Sequence, residues 1–358
     1  MSDKRVLAIN PGSTSTKIAV YKNEKCEYLE NIKHSAEDLA DFNCISDQYE
    51  FRKNIILAKL QEAGVDIQQL DAIVGRGGLV KPIPSGVYEV NDAMIADLKI
   101  GILGEHASNL GGLIAQDLAK SLPSARAFIA DPVVVDEMDD VARLSGHPEL
   151  ERVSIFHALN QKAIARMHSK KMNKKYEDLN LIVVHLGGGV SVGAHKNGRV
   201  VDVNQALNGD GPFSPERTGT LPAFALAKMC FSGKYTIDEI KKLITGKGGF
   251  VAYLGTNNAR EVEERATAGD EKAALVQDAM GYQVAKEIGS MAAVLQGKVD
   301  AVLLTGGIAY NKGFVEKITE RVSFIAPVEV YPGEDEMQAL ASNGLMVLNN
   351  EVKPAKYK

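Results

Sequence analysis

The sequence lacks most of what marks secreted, membrane-spanning or nucleic-acid-binding chains. Its three cysteines, Cys26, Cys44 and Cys230, are far apart and form no CxxC pair. That excludes a disulfide framework or a cysteine-held zinc and fits a reducing compartment. No stretch approaches the roughly 20 apolar residues that span a bilayer. The opening segment MSDKRVLAINPGS has none of the apolar run that heads a signal peptide. A basic excess is missing too. The formal net charge of -5 over 358 residues leaves no positive field for nucleic acid or an acidic membrane. The expectation is a cytoplasmic protein with no nucleic-acid and no membrane partner.

What is present is an ordinary soluble composition, 45% hydrophobic and 24% charged, at a length that favours two domains or one duplicated domain. Short unbroken apolar runs read as strands covered on both faces: Val6 to Ile9, Ala72 to Val74, Ala127 to Ala130, Leu181 to Val184 and Ala301 to Leu304. Between them, Glu50 to Ala63, Ala93 to Leu98, Leu110 to Lys120, Ala158 to Lys170 and Glu271 to Leu295 carry helical spacing. The fold class is α/β. His34, His147, His168 and His195 stand among polar neighbours and read as surface residues, and the lysine run 170–175 reads as a solvated helix end.

Two segments share an outline. In RVLAINPGSTSTKIAVYKNEK and NLIVVHLGGGVSVGAHKNGR a strand enters a Gly/Ser/Thr loop, a second strand leaves it, and a Lys-Asn turn leads to a third. Repetition about half a chain apart points to domain duplication.

The loops themselves suit phosphate. In Asn10-Pro11-Gly12-Ser13-Thr14-Ser15-Thr16-Lys17, small hydroxyl residues beside a glycine let the backbone approach an anion, and Lys17 adds a charge. It is no P-loop, because Thr16 stands where that motif needs glycine and a strand follows instead of a helix. His185-Leu186-Gly187-Gly188-Gly189-Val190 likewise leads into a strand, so it is not a dinucleotide fingerprint. Thr305-Gly306-Gly307-Ile308 is a strand running into a glycine pair and a helix, which suits a nucleotide against backbone.

This ordered set resembles the acetate and sugar kinase, Hsp70 and actin superfamily. Within it, VGRGGLVKPIPSGVYEVND, GEHASNLGGLIA, FIADPVVVDEM, VSIFHALNQKAIAR, NGDGPFSPERTGTLP and YPGEDEMQALA resemble the acetokinase family, most closely its butyrate kinase branch. The resemblance implies two duplicated ribonuclease H-like (actin-like ATPase) domains around a nucleotide cleft. They would span 1–150 and 151–335, with the helix in 336–358 packing on the first. It implies ATP-dependent, reversible phosphorylation of a short-chain fatty acid carboxylate. ATP or ADP, Mg2+, the acid and its acyl phosphate would be the small-molecule partners of a homodimer or larger homo-oligomer. Acetate, propionate or branched-chain acids are alternative substrates. An actin- or Hsp70-like ATP-binding module is the alternative from another class.

By the same resemblance Arg76, Asp131, His157 and Arg217 would be catalytic. The arginines would hold the carboxylate and the phosphoryl group, Asp131 would act through the metal, and His157 would donate to the phosphoryl group. Asn10, Ser13, Ser15, Lys17, His185, Gly187, Gly188, Gly189, Thr305, Gly306, Gly307 and Ile308 would hold nucleotide. Asn10 with two acids from Glu334, Asp335 and Glu336, expected to be Asp335 and Glu336, would order magnesium. Acetate kinases carry Asn where this chain has Gly188, so a backbone N–H is expected to serve there, with glycine's access to φ > 0. His106 and Asn109 have no role at this stage.

Overall fold

The computed structural model describes residues 3–42 and 44–358. The chain divides into two compact units, one built from the chain up to Val135 together with Asp335–Lys358, the other from Asp136–Glu334.

The first unit carries β1 (Arg5–Pro11), β2 (Ser15–Lys22), β3 (Lys25–Lys33), β4 (Ala72–Arg76), β5 (Val87–Glu89) and β6 (Arg126–Ala130). A short strand, Ala355–Lys356, joins the edge of the sheet beside β5, giving the order Ala355–Lys356, β5, β6, β4, β1, β2, β3. β1, β2 and β3 form an antiparallel meander, while β1, β4 and β6 run parallel. Leu7, Ile9, Ile73 and Ile129 pack in one core with residues of the helices Tyr49–Glu62 and Asn109–Lys120. The helix Glu336–Leu348 covers the other face, where Gly344 lets it come against Val6 and Val74; a Cβ there would stand 2.7 Å from Val74. Strands buried on both faces have no polar side to show, which is why they are continuous apolar runs.

The second unit repeats the plan. β7 (Leu181–Leu186), β8 (Val190–Lys196) and β9 (Arg199–Val203) form the meander, and β10 (Ala301–Gly306) and β11 (Val328–Pro332) add in parallel beside β7. Ile182, Val184, Val302 and Leu304 face a core shared with the helix Glu271–Val294. Their neighbours Leu181, Val183, Ala301 and Leu303 face the side of the helix Ala158–Lys171. Each meander has one irregularity between its second and third strands, at Val20/Tyr21 and at Ala194/His195. Both turn on an asparagine with left-handed backbone, Asn23 at φ 53° and Asn197 at φ 51°, a conformation asparagine tolerates better than most residues. Among the described residues no helix is long and apolar enough to cross a membrane.

Two sequence readings need correction. The boundary falls at Val135 and not near 150, because Asp136–Leu150 is tied into the second unit. Asp139 N–H donates to Val201 O at 2.9 Å, and Glu137 pairs with the buried Lys162 at 2.6 Å. Of the histidines read as surface residues, only His147 is exposed; His34, His168 and His195 are buried. Each has a polar partner that local sequence does not reveal: Thr16 Oγ1 for His34, Tyr331 Oη for His168, and Tyr176 Oη with Gln161 for His195.

Burial pushes all three imidazoles below their ordinary value, His195 furthest, with Lys162 and Arg166 adding to its shift. The unfolded chain therefore takes up protons near pH ~6.5 that the folded chain refuses. Stability should be complete above that value and fall as pH drops from about 7.5 to about 5.5, and His168→Gln should remove part of the slope. Denaturant melts across that range check it. A flat or rising stability toward acid would contradict the buried neutral histidines.

Candidate active site

In the first unit the loop between β1 and β2 is shaped by a residue the sequence reading missed. Arg52, on the helix Tyr49–Glu62, is 1% exposed, yet it has no carboxylate partner among the described residues. Its guanidinium donates to Gly12 O at 2.7 Å, Ser15 O at 3.0 Å, Ser13 O at 3.1 Å and Thr16 Oγ1 at 3.1 Å. Gln48 Oε1 accepts from its remaining side. Burial lowers its pKa to about 10, so it stays charged at neutral pH. The carbonyl oxygens of Gly12, Ser13 and Ser15 are thus turned onto Arg52, while that of Thr14 accepts from His34 N–H. The Ser13 and Ser15 hydroxyls and the Lys17 ammonium have no partner among the described residues. Lys17 stands directly opposite Asn10 in the β1–β2 ladder, so the two side chains share a face. A loop with most of its acceptors withdrawn and these donors unengaged by the protein can receive an anion.

Arg76 ends β4. Its Nη1 lies 3.2 Å from Asn10 Oδ1 and 3.3 Å from Glu336 Oε2, and its Nη2 lies 3.1 Å from Glu336 Oε1. Asn10 Nδ2 in turn donates to Glu336 at 2.5 Å. The glycines around Arg76 serve packing: a Cβ at Gly75 would overlap Gly111 O of the helix Asn109–Lys120. Asn109 now has a role, accepting from Leu79 N–H at 2.8 Å and donating to Gly104 O at 3.1 Å, which pins the segment after Arg76. His106 Nδ1 lies 2.7 Å from Ser108 Oγ and accepts from Ser108 N–H, a local turn contact. Asp131, after β6, is 1% exposed and accepts from Gly86 N–H at 2.8 Å. Its φ of 38° is a strained conformation for a residue with a Cβ, costing on the order of 1–3 kcal/mol.

The second unit gathers the other group. The β7–β8 loop holds Gly187, Gly188 and Gly189, with Gly187 N–H donating to Gly189 O at 3.1 Å. A Cβ at Gly189 would overlap Arg217 Nη1 and stand 3.2 Å from His157 Cε1, so this glycine makes room for both. His157, at the head of the helix Ala158–Lys171, stacks on His185 with ring centroids 3.7 Å apart and planes 11° apart. His185 Nδ1 lies 2.8 Å from Asn160 Oδ1 and its Nε2 lies 3.0 Å from Glu334 Oε1. Arg217 donates from Nη1 to Ala206 O at 2.7 Å, while its buried Nε has no partner and no carboxylate pairs with it among the described residues. Burial lowers its pKa, and Glu216 pulls the other way.

A pocket of about 650 Å³ opens beside this group, lined by Gly187, Gly188, Gly307, Ile308 and residues that carried no sequence signal, such as Asn258 and Tyr310. That volume suits a nucleotide-sized ligand. Thr305 and Gly306 do not line it. Thr305 is fully buried with its hydroxyl on Gly333 O at 3.2 Å, and Gly306, at φ 93°, takes a path that a Cβ would block against Leu186 O. The expectation that Gly188 uses positive φ is corrected. It lies outside that region, and a Cβ would meet Glu216 Oε1 at an ordinary 3.5 Å.

Comparison with known proteins identifies the family. The acetokinase family model matches residues 151–345. Butyrate kinase 2 of Clostridium acetobutylicum is 60% identical over 354 residues, 99% of each chain, and butyrate kinase 1 of that organism is 56% identical over the same share. The chain belongs to the acetokinase family. As an acetokinase it is a phosphotransferase with a carboxyl group as acceptor, working with adenine nucleotide and a small carboxylate. Solved structures agree on the fold. Porphyromonas gingivalis acetate kinase has a TM-score of 0.80 at 20% identity, covering 96% of this chain and 100% of that one. A Francisella tularensis propionate kinase gives 0.76 at 19% identity, covering 95% and 98%. The acetokinase fold is thus the duplicated, actin-like ATPase plan seen in the two sheets.

Acetokinase chemistry implies a divalent metal. Among the described residues no group of three or more His, Cys, Asp or Glu side chains is placed to hold one. Magnesium needs less, since it keeps waters and takes one or two protein oxygens plus phosphate. Asn10 Oδ1 and Glu336 Oε2 converge on one Arg76 nitrogen, a cation already seated between two hard oxygens. That pair fits. Asp335 instead caps its helix, accepting from Gln338 N–H at 2.9 Å, and Glu334 faces His185.

The Arg52 geometry has a kinetic consequence. Arg52→Lys keeps the charge but not the planar set of donors. Losing one or two charge-assisted bonds should loosen the loop and raise the KM for ATP roughly 10-fold or more, with the KM for the acid nearly unchanged. Steady-state kinetics alongside circular dichroism check it. Unchanged ATP kinetics in a folded variant would reduce Arg52 to a packing residue.

Proposed function

We propose that this acetokinase transfers the γ-phosphoryl group of ATP to butyrate, reversibly, giving ADP and butyryl phosphate. A carboxylate oxygen forms the new O–P bond as the bridging P–O bond of ATP breaks. The acid is already ionised near neutral pH, so no general base is required. The task is alignment and neutralisation of charge on the transferring oxygens. The observation that carries butyrate ahead of other acids is the 60% identity to a butyrate kinase over 99% of both chains.

In this reading Arg217 and Arg76 hold the substrate carboxylate and the phosphoryl group in transfer, and His157 donates a hydrogen bond to the latter. The Nε of Arg217 supports its share, since a buried donor unmet by the protein suits an anionic acceptor. Ser13, Ser15 and Lys17 meet phosphate oxygens, and the pocket beside Gly187 and Ile308 takes the nucleoside. Asn10 and Glu336 would hold Mg2+, and Asp131 would act through it. Bound magnesium would screen charge between the phosphates.

Trapping the acyl phosphate with hydroxylamine tests the reading. With ATP and Mg2+, butyrate should give the highest kcat/KM. Acetate should trail by roughly 10-fold or more, because each methylene in an apolar pocket discriminates by about 1–3 kcal/mol. An acetate, propionate or branched-chain preference moves the substrate. Nucleotide turnover that needs no acid would favour an ATP-binding module of the actin or Hsp70 kind.

A further inference from the structure

A chain of buried polar groups runs behind His157 that phosphoryl transfer, as described, does not use. Tyr176 Oη lies 2.7 Å from His195 Nδ1, and His195 Nε2 lies 2.9 Å from Gln161 Oε1. Gln161 Nε2 lies 3.1 Å from Ser191 O and 2.9 Å from Ser191 Oγ. Ser191 Oγ lies 2.9 Å from His157 Nδ1. Gln161, Ser191 and His195 are each 0% exposed, so no solvent breaks the sequence. Gly193 keeps the space clear, since a Cβ there would stand 2.5 Å from Gln161 Oε1.

One fixed point orients the whole chain. The Ser191 carbonyl can only accept, so the end of Gln161 that faces it must be the NH2 group. The other end is then the oxygen, and His195 Nε2 must carry the proton that it accepts. His195 is fully buried beside cationic Lys162 and Arg166 and stays neutral, so its Nδ1 is a lone pair that accepts from the Tyr176 hydroxyl. On the other side, Ser191 Oγ accepts from Gln161 Nε2 and, at 3.4 Å, from the His157 backbone N–H. Its acceptor capacity is filled, and the hydroxyl hydrogen is left for His157 Nδ1.

We infer that the chain Tyr176–His195–Gln161–Ser191 fixes the tautomer of His157, with a lone pair on Nδ1 and the proton on Nε2. Tyr176, His195, Gln161 and Ser191 are positioning residues. They keep a hydrogen-bond donor on the nitrogen that Ser191 does not engage. Only the consequence for turnover rests on the reading of His157 as the donor to the phosphoryl group. The tautomer itself does not.

The test is nitrogen-15 NMR of the full-length chain, with the His157 signals assigned by their loss in His157→Gln, together with kinetics. In the wild type, Nε2 should show the shift of a protonated ring nitrogen and Nδ1 that of an unprotonated one. Ser191→Ala should move both signals toward each other and lower kcat by roughly 10-fold or more, a moderate loss for an imidazole freed from its tautomer. The KM values should stay within about 2-fold, as when an interaction made only in the transition state is removed. Ser191→Thr, which keeps the hydroxyl, should restore the wild-type spectrum. A wild-type proton on Nδ1, or a Ser191→Ala spectrum unchanged from wild type, overturns the chain. A shifted tautomer with wild-type kcat upholds the chain and removes His157 from the reaction.

Discussion

Two guanidinium groups, the buried Arg52 and the half-buried Arg217, are held by backbone carbonyl oxygens, with no carboxylate to neutralise either among the described residues. Burying an unpaired cation costs several kcal/mol even after relaxation. Hydrogen bonds from a charged donor return about 1.5–3 kcal/mol each. Arg52 recovers most of its cost, with carbonyl acceptors on Gly12, Ser13 and Ser15. Arg217 recovers less, having Ala206 O and an unmet Nε. The contrast separates a cation whose donors are engaged by a loop from one that keeps a donor unmet by the protein. Arg76 is the third case, tied to Glu336 and Asn10.

The duplicated hairpin is the scaffold for this arrangement. In each unit a parallel core strand turns back through a small-residue loop, and the loop's shape depends on what stands beside it. Beside the first stands Arg52. The second is formed by three glycines, of which Gly187 and Gly189 lie under side chains that cross close over them. The two loops reach phosphate-compatible surfaces by different means, hydroxyl and ammonium donors in one, close backbone in the other. The two units share the path of the chain and differ in the residues that line the loop.

The sequence exposed the parts that depend on local pattern. Strands such as Leu181 to Val184 were readable because a strand covered on both faces must be apolar throughout. Asn23 and Asn197 were readable as turns. Arg52 was not, because it sits in an ordinary helix and its partners arrive only through tertiary structure. His195 misled for a related reason: its chain neighbours include a lysine and an asparagine, but β8 is buried on both faces up to Lys196, and the ring meets Gln161. The boundary near 150 failed because the ties of Asp136–Leu150, such as Glu137 to Lys162, carry no local motif. Gly188 invited an argument from conformational freedom that its backbone does not use.

The central claim is that Arg217 is kept unneutralised for an anionic substrate and at the expense of stability. Denaturant unfolding of wild type and Arg217→Met, with and without inorganic tripolyphosphate at constant ionic strength, tests it most directly. Without the anion, Arg217→Met should be no less stable than wild type, because a half-buried cation with an unmet Nε has been replaced by an apolar chain of similar length. Tripolyphosphate should stabilise wild type through linkage and stabilise the variant less. An Arg217→Met protein that is markedly less stable without anion, yet gains as much from tripolyphosphate as wild type, would contradict the account and make Arg217 a structural residue.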